Sequence, residues 1–147
     1  RELQNGGEFV VLLFLAAWGN DTLAYCTGML IGKHKMSPIL SPKKSIEGLV
    51  GGIVGAAILG ALYGLYLNTY IRFSFNPVTM FPIVCGLSGA VSVIGDLAAS
   101  AIKRDSGIKD YGTLIPGHGG ILDRFDSIIF IAPVIYYLTV MISGGAI

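Results

Sequence analysis

Four long stretches of this 147-residue chain are almost empty of charge, and that pattern limits the fold more than any other feature. Between Glu8 and Lys33 only Asp21 is charged, and between Glu47 and Arg72 nothing is. Phe73–Gly95 and Ser127–Ile147 carry no charge either. Each interval is close to the ~20 residues that a helix needs to cross hydrocarbon. With 53% hydrophobic and 13% charged residues, a water-soluble domain is excluded. The expected fold is an all-α integral membrane protein with about four transmembrane helices, roughly 9–32, 47–67, 78–101 and 125–143.

The cations lie between the spans. Lys33, Lys35, Lys43 and Lys44 occupy the first loop, and Lys103, Arg104, Lys109 and Arg124 the third, whereas the second holds only Arg72. Two helices separate the basic loops, so both lie on one side under any orientation. The positive-inside bias makes that side the cytoplasm and puts both chain ends outside. In a bacterium the membrane would be the inner one. The chain opens on Arg1, enters a span within ten residues and shows no signal-peptide pattern. The expectation is one transmembrane catalytic domain over 1–147, the C-terminal part of a longer membrane enzyme.

Within the spans, small and polar residues fall in register. Gly48, Gly52, Ala56, Gly60 and Gly64 are four apart, a strip where another backbone can approach closely. Two readings stay open for it: packing inside the bundle, or a homodimer seam. Asp21, Tyr25, Gly28 and Gly32 share a face of the first helix, and a mid-span carboxylate needs a wet cavity or a partner. Ser88, Ser92, Asp96 and Ser100 repeat at four-residue steps on the third helix, with Lys103 just beyond, as on a hydrated interior face. Cys26 and Cys85 match no metal spacing and are expected as two buried thiols. Gly28-x-x-x-Gly32-Lys33 is not a phosphate-binding P-loop, because it is one residue short and is followed by His34.

The loops carry the chemistry. Asp123 and Asp126 are three apart at the entry to the fourth helix, so a helical turn there aims both carboxylates one way. Magnesium takes few protein carboxylates, keeps waters and bridges to substrate phosphates. Asp96 could supply a third oxygen ligand from the neighbouring helix. Pro116-Gly117-His118-Gly119-Gly120 leaves backbone N–H groups open to an anion, with His118 able to donate to a phosphate or move a proton. Lys103, Arg104, Lys109 and Arg124 add four cations in the same segment. Ser45 with Gly48 fits an N-cap, and Lys43 and Lys44 would clamp a triphosphate or attract anionic headgroups.

These residues follow a family pattern. Ser100-x-x-Lys103-Arg104-x4-Lys109-Asp110-x5-Pro116-Gly117-His118-Gly119-Gly120-x-x-Asp123-Arg124-x-Asp126 resembles the signature of the phosphatidate cytidylyltransferase (CDP-diacylglycerol synthase) family. Asn20-Asp21-Thr22-x-Ala24-Tyr25-x-x-Gly28-x-x-x-Gly32-Lys33 and Ser41-Pro42-Lys43-Lys44-Ser45-x-Glu47-Gly48 resemble the same family's C-terminal half, so the likeness covers about residues 20–126. The resemblance implies transfer of a cytidylyl group from CTP to phosphatidate, giving CDP-diacylglycerol and pyrophosphate, with magnesium, more than one ion being expected. It implies catalytic roles for Asp96, Asp123, Asp126, Lys103 and His118, the three aspartates holding metal. Phosphate binding then falls to Lys103, Arg104, Lys109, Arg124, Gly117, Gly119 and Gly120, with Lys33, Lys43 and Lys44 from the facing loop. Asp21, Tyr25 and Ser100 would give polar support. CTP, phosphatidate, membrane lipids and a second copy of the chain are the expected partners, and nucleic acid is not. A CTP-dependent polyprenol or dolichol kinase, or an ether-lipid cytidylyltransferase, would share the nucleotide, the metal and the membrane. An ion-coupled transporter would account for the stripe on the third helix but not for the glycine loop and its cations.

Overall fold

The computed structural model describes residues 6–37, 41–71, 73, 75–108 and 122–142, the side chains of 42, 43 and 122–124 excepted. Its elements in chain order are α1 (Gly6–Phe14), a π-helical turn (Leu15–Gly19), α2 (Asn20–Ile31), β1 (Lys35–Ser37), β2 (Ser41–Ser45), α3 (Ile46–Tyr70), α4 (Pro77–Asp105) and α5 (Leu122–Ile142). Among the described residues four rods are long and apolar enough to cross a membrane: Gly6–Ile31, Ile46–Tyr70, Pro77–Asp105 and Phe125–Ile142. The protein is therefore an all-α integral membrane protein, as the charge-free intervals predict. The fourth-helix turn that carries Asp123 and Asp126 is helical.

α3 shows how the sequence sets the packing. Val50, Val54, Ile58, Leu62 and Tyr66 form an exposed apolar stripe, suited to lipid. On the opposite side Gly48, Gly52, Ala56, Gly60 and Gly64 are all buried. A methyl group on Gly48 would meet the Ala24 carbonyl oxygen at 2.7 Å, and one on Gly60 or Gly64 would meet the carbonyl oxygens of Phe81 or Pro77 at 2.7 and 2.5 Å. The strip is thus filled by α2 at one end and α4 at the other. Packing inside the bundle is what these glycines do, and they leave no open seam there for a second copy. Close backbone approach matters most where lipid is as apolar as the side chains and cannot drive the helices together.

α4 is the central rod, with α3 on one side and α5 on the other, and the π-helical turn touches all three. α1 reaches α4 and α5, whereas α2 lies along α3. The wider turn between them holds one extra residue and so redirects the buried face. Phe81 of α4 anchors the core beside Tyr63, Phe9, Phe73 and Phe75, with ring centroids 6.0–6.3 Å from its own. Tyr63 also donates a hydrogen bond to Glu8, tying α1 to α3.

Both ends of the first loop are pinned. Ser45 Oγ accepts from Gly48 N at 3.1 Å, the N-cap expected for α3. Ile46 N donates to the His34 carbonyl at 2.9 Å, and His34 Nδ1 lies 2.6 Å from Glu47 Oε1. Between these ties β1 and β2 pair antiparallel, Lys35 opposite Ser45 and Ser37 opposite Ser41. This ribbon is absent from the sequence reading. One further expectation fails: Cys85 is buried, but Cys26 is exposed on the surface of α2, because α2 buries only the side that meets α3.

Candidate active site

A cavity of about 300 Å³ opens where the ribbon, α2, α3 and α4 converge. Asp21, Ala24 and Tyr25 of α2, Met36, Ser41, Lys44 and Ser45 of the ribbon, Gly48 and Leu49 of α3, and Val93 and Asp96 of α4 line it. Its walls are mostly apolar and its polar groups few, the usual make-up of a ligand site. Ser45 and Gly48 come to it through the α3 cap, and Asp21 through the redirected first turn of α2. Asp96 stands two turns before Lys103 and Arg104, which close the last turn of α4 and favour its negative end.

Charge organises the cavity. Lys44 donates to Asp96 Oδ2, joining the ribbon to α4 across 52 positions of sequence. Their side chains keep 26% and 27% of their surface exposed, so the pair is neither dry nor fully solvated. Asp21 feels the negative charges of Asp96 and Asp126 and the positive charge of Lys44. Asp126 is buried near the start of α5, its Oδ1 accepting from Ser127 N at 2.7 Å. The first loop thus reaches α4 through Lys44 and Asp96, two turns before the Lys103–Arg104 end of that helix.

The polar stripe of α4 divides at Asp96. Asp96 opens to the cavity, but Ser88 and Ser92 below it are fully buried, and their hydroxyls have no hydrogen-bond partner among the described residues. The cavity reaches α4 only at Val93 and Asp96, so the hydrated face expected over the whole stripe is confined to its upper end. Ser100 is half-buried one turn beyond Asp96. Lys33 and Arg104 are exposed and Lys103 half-buried. Lys109, Gly117, His118, Gly119 and Gly120, and the side chains of Lys43, Asp123 and Arg124, lie outside the described residues. Among the described residues no three His, Cys, Asp or Glu side chains gather tightly enough to hold a metal ion. Asp21 and Asp96 nevertheless give one cavity two hard oxygen donors, which suits magnesium, an ion that takes one or two carboxylates and fills its remaining positions with water and phosphate.

Several lining residues escape sequence reading. Met36 and Ser41 arrive only because the ribbon folds over the cavity, and Val93 because it precedes Asp96 by one turn. Pro38 and Pro42, on either side of Ile39-Leu40-Ser41, hint at a turn, but nothing local announces the pairing of β1 with β2.

Residues 1–142 match the cytidylyltransferase family. The chain belongs to that family. Among curated relatives it is similar to the phosphatidate cytidylyltransferase of Staphylococcus saprophyticus, with 39% identity over 137 residues, covering 93% of this chain and 51% of the relative. It is 41% identical over 135 residues to the phosphatidate cytidylyltransferase of Staphylococcus aureus (strain COL), covering 92% of this chain and 50% of the relative. The chain thus spans about half the length of the curated relatives it matches. Family membership agrees with the signature over Ser100–Asp126, and the cavity reaches α4 at Asp96, one turn before that signature begins.

Proposed function

We propose that this chain takes part in transfer of a cytidylyl group from CTP to phosphatidate, releasing pyrophosphate, at the cytoplasmic face of the membrane. The observation that carries the proposal is one cavity, at the end of a membrane bundle, that joins paired carboxylates and a lysine to apolar walls in a member of the cytidylyltransferase family. A lipid-anchored phosphate and a soluble nucleotide can meet only at such a boundary. Both reactants are anions, so positioning and charge neutralisation are the main tasks.

In this reading a phosphate oxygen of phosphatidate attacks the α-phosphorus of CTP in line. The bond from that phosphorus to the β-phosphate oxygen breaks, and pyrophosphate leaves with the electron pair. Asp96, Asp123 and Asp126 would hold magnesium, with Asp21 as support. Bound there, magnesium would neutralise phosphate charge and favour departure of the leaving group. Lys103, Arg104, Lys109 and Arg124 bind the phosphates, with Lys33, Lys43 and Lys44 from the facing loop. Gly117, Gly119 and Gly120 present backbone N–H groups, and His118 donates to a phosphate oxygen. Tyr25 and Ser100 border the carboxylates and hold substrate orientation through their hydroxyls.

The test is pyrophosphate release from CTP by membranes expressing the chain, with and without phosphatidate and magnesium. Release should need both, and Asp96→Asn should lower it by about a hundredfold or more. Release that ignores phosphatidate, or that survives Asp96→Asn, would refute the reading.

A further inference from the structure

The ion pair that bridges ribbon and helix carries one more inference, which rests on the metal reading above. We propose that Lys44 is the resident counter-ion of Asp96 when no divalent cation is bound, and that the arriving cation displaces its ammonium onto a substrate phosphate. Lys44 and the cation then take turns at one carboxylate.

Three observations support this. First, Lys44 Nζ donates to Asp96 Oδ2 and both residues line the cavity, so a cation binding that carboxylate competes directly with the ammonium. Second, a second carboxylate stands close by: Asp21 shares the cavity and is attracted by Lys44 while Asp96 repels it. Without a positive charge between them, two carboxylates in one partly shielded cavity destabilise each other. A cation there offsets that repulsion, and Lys44 supplies one. Third, the backbone beside Lys44 is fixed, while its side chain is long and partly exposed. Ser45, the next residue, caps α3, and Ile46 N is held by the His34 carbonyl at 2.9 Å. A lysine ammonium is a compact charge on a flexible four-carbon stem, suited to changing partners without moving the chain. Once released, it remains at the cavity wall, where a phosphate brought in with the cation would meet it.

The consequence is a coupling between cation and nucleotide. A bare divalent ion must break the Lys44–Asp96 pair and leave an ammonium without a partner. A cation that arrives with phosphates supplies the ammonium with a new one. The cavity therefore favours the metal–nucleotide complex over the metal alone.

The experiment is Mn²⁺ titration of the purified protein in lipid nanodiscs, without nucleotide, following the free-ion paramagnetic resonance signal. Lys44→Gln should bind Mn²⁺ tighter than the wild type by about fivefold, the scale of one partly exposed ion pair. Lys44→Arg, which keeps the competing charge, should not. Asp96→Asn should abolish the site in both backgrounds. Equal or weaker binding in Lys44→Gln, with an Asp96-dependent site present, would overturn the exchange and leave the metal reading standing. No binding in any variant would overturn both. A second measurement needs no substitution: Mn²⁺ should speed reductive methylation of Lys44 several-fold relative to exposed Lys33, read by mass spectrometry, and an unchanged ratio would refute displacement.

Discussion

Replacing Gly60 by alanine should loosen the contact between α3 and α4, and the structure fixes the size of the effect. The new methyl carbon would lie 2.7 Å from the Phe81 carbonyl oxygen, 3.0 Å from its carbon and 2.9 Å from Cys85 Sγ. Two of those atoms are helix backbone, so the methyl cannot be accommodated by turning a side chain. The two rods must part by several tenths of an ångström, which typically costs about 1–3 kcal/mol in a packed core. Against this, alanine in a helix gains up to about 1 kcal/mol over glycine. The net change should be a loss of up to about 2 kcal/mol. Gly86 supplies the control on the facing helix, since a methyl there meets Ala57 Cβ at an ordinary 3.6 Å. Gly86→Ala should keep the propensity gain and stabilise by about 0.5–1 kcal/mol. Reversible unfolding of both variants in mixed detergent–lipid micelles, followed by helical circular dichroism, gives the comparison. If Gly60→Ala proves as stable as Gly86→Ala, the close approach at Gly60 is not what holds these helices together.

Other outcomes follow from the same geometry. Ser45→Ala removes the side-chain acceptor for Gly48 N and should cost about 1 kcal/mol in the same unfolding assay, since this cap opens α3 at the cavity wall. Ser88→Ala and Ser92→Ala should be neutral or stabilising, because each deletes a buried hydroxyl that has no partner among the described residues; a loss of more than about 1 kcal/mol would mean that the hydroxyl is satisfied. Asp123→Asn should abolish turnover while leaving helix content and unfolding unchanged. Retention of near-normal turnover would remove Asp123 from the catalytic set.

Much of the fold is legible in the sequence because the membrane makes it so. A rod must be apolar over its crossing length, so the charges that remain mark the spans and the loops at once. The glycine strip of α3 is legible as a close-packing face, but not its partners, since α2 and α4 compete for it only in three dimensions. Cys26 shows the limit of reading burial from membership of a span: an apolar environment outside the protein looks the same in sequence as one inside it. At the site, Asp21, Lys44 and Asp96 are each visible as unusual residues, yet their convergence is not, because 52 positions separate Lys44 from Asp96. The two-stranded ribbon that carries Lys44 to α4 has no hydrophobic alternation, since it lies on the bundle rather than in a sheet core. Ser88 and Ser92 belong by spacing to the same stripe as Asp96, but their burial depends on how the helices close around them.

The central claim is cytidylyl transfer, and the position of the transferred phosphorus tests it most directly. Membranes expressing the chain would be incubated with phosphatidate, magnesium and CTP labelled with ³²P at either the α- or the γ-phosphate, and then extracted with chloroform. Label from the α position should enter the lipid phase, and label from the γ position should leave as pyrophosphate. Transfer of the γ label to lipid would mark a CTP-dependent kinase, and the absence of both labels from the lipid would likewise contradict the account.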